Sequence, residues 1–260
     1  MTPLPEFKMI VALCRGGGIG YEGTLPWPKL ERDLRFFSHM TRSSVFPYNT
    51  AVVMGRKTWE SIPANVRPLP FRDNFVISAL HDADTDTDTD TVESKPGVTF
   101  LRHLSEIHKY ASNYDIIWFI GGASIYEQVL TPTSTSGAGA GAGAGAMLFP
   151  INEILITFVD EIYEHDTAFP LMFQYDTTDE WQARRNDPTN RAIWCWTGAD
   201  DIPKFVSFFT EGARSNHLYR VTDVDRDIVA GITRPADIKA IQERRSPNTI
   251  FLCLRRVIEV

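Results

Sequence analysis

The chain has 260 residues, enough for one large domain or two small ones, and its 43% apolar and 12% aromatic content can build a substantial core. A formal charge of −7 and a pI near 5.4, with no basic stripe, argue against a nucleic-acid partner. No stretch approaches the roughly 18 consecutive apolar residues of a membrane helix, and Met1 to Phe7 carries prolines and an acid where a signal peptide needs an apolar run.

A soluble, cytoplasmic monomer is therefore expected. Cys14, Cys195 and Cys253 are odd in number and widely spaced, as reduced core thiols would be rather than a disulfide framework. The histidines offer no pair at metal-ligand spacing, so no metal is expected.

In chain order, short apolar runs predict buried strands at Met9–Cys14, Ala51–Met54, Phe75–Ser78, Val98–Leu101, Ile116–Ile120 and Ile154–Val159. Between them, helices are predicted over Leu30–Met40, Thr58–Ile62, Leu104–Ser112 and Ala123–Leu130. This alternation implies an α/β fold in which helices cover both faces of a mainly parallel sheet. Two low-complexity segments interrupt it, within expected insertions at 82–95 and 131–146. Asp84 to Thr91 alternates Asp and Thr, and Gly137 to Ala146 is five Gly-Ala repeats after a Ser/Thr run. Neither can bury apolar surface, so both are expected on the outside. The span 185–249 is polar and broken by prolines, and is expected to be an irregular insertion within one domain covering 1–260, a small appended module being the alternative. Pro235–Arg245 could form a short helix within it. Phe251–Val260 then closes the sheet as an antiparallel strand.

Asp33 is the most informative residue. At 100° per residue, Leu30, Leu34, Phe37 and Thr41 share its helix face, while Glu31, Arg32, Arg35 and His39 point elsewhere. A carboxylate among apolar neighbours is costly unless it is hydrogen-bonded or changes its protonation state. Local capping would be the ordinary explanation; the surrounding motifs favour chemistry. Two strand ends run into glycine and then a helix start: Met54-Gly55-Arg56-Lys57-Thr58 and Ile120-Gly121-Gly122-Ala123-Ser124-Ile125. Each offers close backbone approach and free amides to a phosphate. Two such ends in one sheet suit the pyrophosphate of a dinucleotide, although the spacing is not that of a Gly-x-Gly-x-x-Gly opening. A third cluster, Gly16-Gly17-Gly18-Ile19-Gly20 leading to Gly23, is expected to be a flexible loop able to close over a ligand.

Taken together, these stretches resemble dihydrofolate reductase, with fungal members the most similar. The resemblance is carried by Ile10-Val11-Ala12, Gly18-Ile19-Gly20, Leu25-Pro26-Trp27-Pro28 with Asp33 and Phe37, and Met54 to Pro63. It continues through Arg67-Pro68-Leu69 with Arg72, Ile120 to Tyr126, Thr157, Asp166-Thr167 and Phe169-Pro170, in the family's order over about residues 7 to 184. It implies an NADPH-dependent oxidoreductase acting on a CH–NH bond, which reduces 7,8-dihydrofolate to tetrahydrofolate for one-carbon metabolism and is a target of antifolates.

By resemblance, Asp33 binds the pterin's amidine edge, Trp27 orients a water near it, and Thr157 buttresses the acid. Ile10, Ala12, Leu25, Phe37, Ser61, Ile62, Leu69, Ile120 and Tyr126 wall the substrate pocket, and Arg72 holds the carboxylate of the glutamate tail. NADPH is implied to lie along Ala12, Ile19, Gly20, Gly23, Thr24, Leu25, Gly55, Arg56, Lys57, Thr58, Gly121, Gly122, Ala123, Ser124, Ile125 and Tyr126, with Ser78 and Arg102 at the 2′-phosphate. Two departures stand out. Ala79 replaces a basic residue common in relatives, which leaves Arg56 and Arg102 to favour the 2′-phosphate. Phe71 replaces the glycine usual before Arg72 and bears on the placement of that arginine. A catalytically idle folate- or NADPH-binding protein, or a reductase of another pterin-like substrate, are the alternative readings.

Overall fold

The computed structural model describes residues 5–79, 96–131, 148–175, 205–210, 213–244 and 246–256. The Asp-Thr and Gly-Ala repeats, Cys195 and 185–204 lie outside the described residues.

The parallel half of the central sheet contains β1 (Glu6–Arg15), β3 (Thr50–Gly55), β4 (Asp73–Ile77), β5 (Val98–Leu101), β6 (Ile116–Phe119) and β7 (Ile151–Ile162). Its antiparallel half contains β9 (Leu171–Tyr175), β10 (Phe205–Thr210), β11 (Ala213–Asp223) and β12 (Thr249–Arg256). The strand order is β5-β4-β3-β6-β1-β7-β12-β11-β10-β9. A separate two-stranded ribbon joins β2 (Gly18–Gly20) to β8 (Thr167–Ala168).

The helices are α1 (Glu31–Thr41), α2 (Arg56–Ser61), α3 (Ala123–Leu130), α4 (Arg226–Ile232) and α5 (Pro235–Gln242). The helix predicted over 104–112 is instead two 3-10 turns, Leu104–Lys109 and Ala111–Asn113. Its buried side chains Leu104 and Ile107 are three residues apart, and that spacing suits a three-residue turn.

Side-chain alternation assigns the core to two faces. Met9, Val11 and Leu13 of β1 and Ile154, Ile156 and Phe158 of β7 join α3 and Phe149 on one side. Ile10, Leu155, Trp118 and Phe251 join Phe36 of α1 and Ile232 of α4 on the other. Cys14 and Cys253 are buried free thiols.

The expected antiparallel closing strand forms as β12, and the helix expected at Pro235–Arg245 forms as α5, but the reading of 185–249 as irregular is corrected by the structure. β12 lies between β7 and β11 rather than at an edge, and two strands and two helices form within that span. The run Phe205-Val206-Ser207-Phe208-Phe209 is rich in β-formers, a signal outweighed by the polar composition around it. Phe36, omitted from the predicted helix face, is completely buried and meets Phe251 at a ring distance of 4.3 Å, whereas Leu34 is 38% exposed. The apolar stripe of α1 is thus rotated toward Phe36. Phe36→Ala is expected to destabilise the protein by about 3–5 kcal/mol in urea unfolding, the usual cost of deleting a fully buried phenyl group.

Candidate active site

α1 starts without a side-chain cap and presents Asp33 one turn ahead of Phe37. The Asp33 carboxyl group is buried, and the hydroxyl of Thr157 on β7 donates to it. Burial raises its pKa from 3.8 to about 6, against the lowering effect of Thr157. Among the described residues no basic side chain forms an ion pair with Asp33. Nearby, Tyr126 donates from its hydroxyl to the carbonyl of Ile10 at 2.8 Å; burial, with Asp33 adding to it, raises its pKa. The indole N–H of Trp27 is buried and has no acceptor among the described residues.

β3 and β6 are adjacent and parallel, so both glycine turns emerge at the same end of the sheet. The amide of Gly55 donates to the carbonyl of Gly121 at 2.7 Å. A Cβ on Gly122 would sit 3.3 Å from the Thr58 hydroxyl, and one on Gly121 only 2.9 Å from the Tyr126 ring. Gly121 also has φ +99°, so a side chain there is excluded twice over. Neither α2 nor α3 has a side-chain cap at its start, which leaves backbone amides available at both turns. Farther along, Ile77 pairs with Leu101, which puts Ser78 and Arg102 side by side at the ends of β4 and β5. These turns and the basic groups Arg56 and Arg102 fit the phosphates of NADPH. Arg56 also contacts Glu60 at 2.6 Å.

At the opposite end Arg72 is buried. It donates through Nε to the carbonyl of Pro70 at 3.0 Å and through Nη1 to Thr41. Burial, with the adjacent Arg42, lowers its pKa to about 10. No carboxylate pairs with it among the described residues. Phe71 has φ +63°, the left-handed region that glycine tolerates without cost, and its ring lies 4.9 Å from the Arg42 guanidinium. Phe71 is half exposed and does not line the cleft, whereas Arg72 does.

One cleft of about 1970 Å³ connects these regions. It is about twice the upper end of the usual range for a small-molecule pocket, consistent with two ligands side by side. All the expected substrate, cofactor and catalytic residues line it except Gly121, whose carbonyl and φ shape the turn from behind. Sequence reasoning omitted Lys29, Leu34, Ser38, Val66, His103 and Gln128, which also line the cleft. Leu34 and Ser38 follow Asp33 and Phe37 on α1, so helical periodicity could have found them; the others come from loops or from the outer flank of α3. The glycine loop is less free than expected. β2 pairs with β8, and the amide of Glu22 donates to Asp166 at 2.8 Å.

A cleft long enough for a pyrophosphate beside a flat ring, with a buried acid facing the ring, is what a dinucleotide-dependent reductase requires. The family model for dihydrofolate reductase matches residues 6–136. The dihydrofolate reductase of Gallus gallus is 33% identical over 168 residues, covering 64% of this chain and 78% of that protein. That of Mus musculus is 32% identical over 169 residues (62% and 76%), and that of Aedes albopictus 28% over 204 (78% and 90%). The chain belongs to the dihydrofolate reductase family. No described helix is long and apolar enough to cross a membrane.

Asp33 binds its proton more tightly in the folded than in the unfolded chain. Its contribution to stability is therefore fully present below about pH 4 and is lost as pH rises through about 6. Asp33→Asn in the ligand-free protein is expected to raise the stability at pH 8 by on the order of 3 kcal/mol. Urea titrations should show that gain shrinking toward zero as the pH approaches 4.

Proposed function

We propose that Asp33, Trp27, Thr157 and Arg72, with the two glycine turns, carry the NADPH-dependent reduction of 7,8-dihydrofolate to 5,6,7,8-tetrahydrofolate, the activity of this family. The observation that carries the assignment is the isolated, buried carboxyl of Asp33, held by Thr157 in the same cleft as the paired turns at Gly55 and Gly122.

NADPH, when bound, supplies the hydride. The protein's task is alignment and control of one proton. Ionised Asp33 accepts the amidine N–H groups of the pterin and favours its protonated form, while water delivers the proton to the nitrogen beside the reacting carbon. Trp27, a buried indole donor without a protein acceptor among the described residues, can hold that water or a ring oxygen. Ile10, Phe37, Ile62, Leu69 and Ile120 supply apolar walls and keep bulk water from the ring. Arg72 presents a guanidinium fork to the carboxylate of the glutamate tail, and Lys57, Thr58 and Ser124 stand along the phosphates. Arg56, Ser78 and Arg102 favour a 2′-phosphate, with Ala79 neutral beside them. Antifolates that mimic a protonated pterin would engage the same carboxylate. An acidic chain with no basic stripe supports a role away from nucleic acid.

Asp33→Asn keeps the shape but removes the charge, and is expected to cost at least about 100-fold in turnover at pH 7, followed by loss of nicotinamide absorbance. A drop under threefold would end the assignment. Arg72→Ala is expected to raise KM for dihydrofolate about tenfold or more, the cost of a lost charge-assisted pair, while leaving KM for a tail-less dihydropterin unchanged. Equal effects on both substrates would place Arg72 elsewhere and would favour the reading of another pterin-like substrate.

A further inference from the structure

α4 and α5 contribute nothing to the lining of the cleft, yet they grip the back of the helix that bears Asp33. Arg32 and Arg35, expected to point away from the apolar face, do so into these helices rather than into water. The Nε of Arg35 donates to the carbonyl of Ile232, at the end of α4, at 2.8 Å, and its Nη2 reaches Asp237. Asp237 also accepts from the amide of Arg234 at 2.8 Å, which opens α5. Arg35 therefore closes the C-terminal end of one helix and pairs with the acid at the N-terminal end of the next, favourable sites for a cation and an anion respectively. One turn earlier, the Nε of Arg32 donates to the Thr233 hydroxyl at 3.0 Å, and its Nη1 donates to the carbonyl and hydroxyl oxygens of Thr249 at 2.7 and 2.8 Å. Its guanidinium lies 4.7 Å from the Phe251 ring, which also packs on Phe36. Phe251 is the β12 residue paired with Thr157, the hydroxyl partner of Asp33. The brace therefore reaches both sides of the acid: α1, which carries it, and the strand neighbour of the residue that hydrogen-bonds it.

We propose that the α4–α5 hairpin is a positioning brace for catalysis, in which Asp237, acting through Arg35 and beside Arg32, fixes the pitch of α1 and so the place of the Asp33 carboxyl in the cleft. This role rests on the assignment of Asp33 as the pterin's anchor. The two guanidiniums repel each other, and Asp237 is the acid that acts on both. Without its charge they separate, and α1 moves with them. A shift of about 1 Å in a catalytic group can cost up to 100-fold in rate. The groups that act on Asp33 itself are Thr157 of β7 and Tyr126 of α3, both neutral near pH 7, and among the described residues no charged side chain faces it. A changed pH midpoint would thus report how deeply the carboxyl sits.

The test uses the full chain with Asp237→Asn, which keeps the acceptor for the Arg234 amide, and with Asp237→Glu, which keeps the charge. Turnover, KM for dihydrofolate, KM for NADPH, the pH dependence of turnover and urea stability are measured for each. The expected result for Asp237→Asn is a 5- to 20-fold loss in kcat/KM for dihydrofolate, a displaced pH midpoint and a KM for NADPH within twofold of the parent. Asp237→Glu should recover most of that loss. Lower urea stability with unchanged kinetic constants and pH midpoint would make the hairpin a stabilising appendage and overturn the proposal. If Asp237→Asn does not fold, Thr233→Val, which removes the hydroxyl's contact to Arg32 together with its bond to the Val229 carbonyl, decides by the same readouts. Asp33→Asn is assayed alongside. Should it lose less than threefold, the Asp33 assignment fails; should it lose activity as expected while the Asp237 and Thr233 variants stay unchanged, only the brace fails.

Discussion

A single buried carboxyl group, held without a cationic partner among the described residues, is the constraint around which this protein is arranged. Had a guanidinium been placed against Asp33, its pKa would have fallen and the site would have lost its preference for a cationic ring. Had the acid been left in water, it would bind a flat amidine only weakly against solvent competition. The structure meets both conditions with one hydroxyl, Thr157, on a strand that pairs with both β1 and β12. The cost falls on stability near neutral pH, where the buried group must ionise. The large apolar clusters on both sheet faces are what make that cost tolerable.

The parallel half of the sheet was legible because its strands are fully covered and so appear as unbroken apolar runs between helix patterns. Ala123–Leu130 was located to the residue because glycine precedes it and threonine follows. The position of Asp33 was legible from periodicity, yet the exact face was not. Phe36 and Phe37 are adjacent apolar residues, and 3.6-residue spacing cannot choose which of them faces the sheet until the partner, Phe251, is known. The paired glycine turns could be anticipated because glycine before a helix has a local physical meaning. That Gly121 takes a φ of +99° is something no local pattern encodes.

The carboxyl-terminal half was read least well, for a different reason. β10 is a short apolar run and β11 interleaves apolar with polar residues, and composition averaged over 185–249 hid both. Arg32 and Arg35 illustrate the same limit. On a helical wheel they look like solvated charges, and only the residues about two hundred positions later show what they hold. Phe71 is the opposite case: the substitution was visible, and its effect was not. Its ring turns toward Arg42, so the arginine that follows keeps its place in the cleft.

Charge placement ties these observations together. The chain is acidic overall, while the two ends of its cleft carry Arg56, Lys57 and Arg102 on one side and Arg72 on the other. In the proposed assignment both ligands would place anionic groups at those ends, where the local field would draw them in against an unfavourable net charge. Between the ends the cleft must be negative at one point only, and the nearest cation in sequence, Arg32, is the immediate neighbour of Asp33. Helical geometry separates the pair by about 100° around the axis. Arg32 then satisfies its donors on Thr233 and Thr249, so the guanidinium remains on the back of α1. The hairpin behind α1 therefore holds the helix and also occupies Arg32, a cation that, turned toward the cleft, would neutralise the acid.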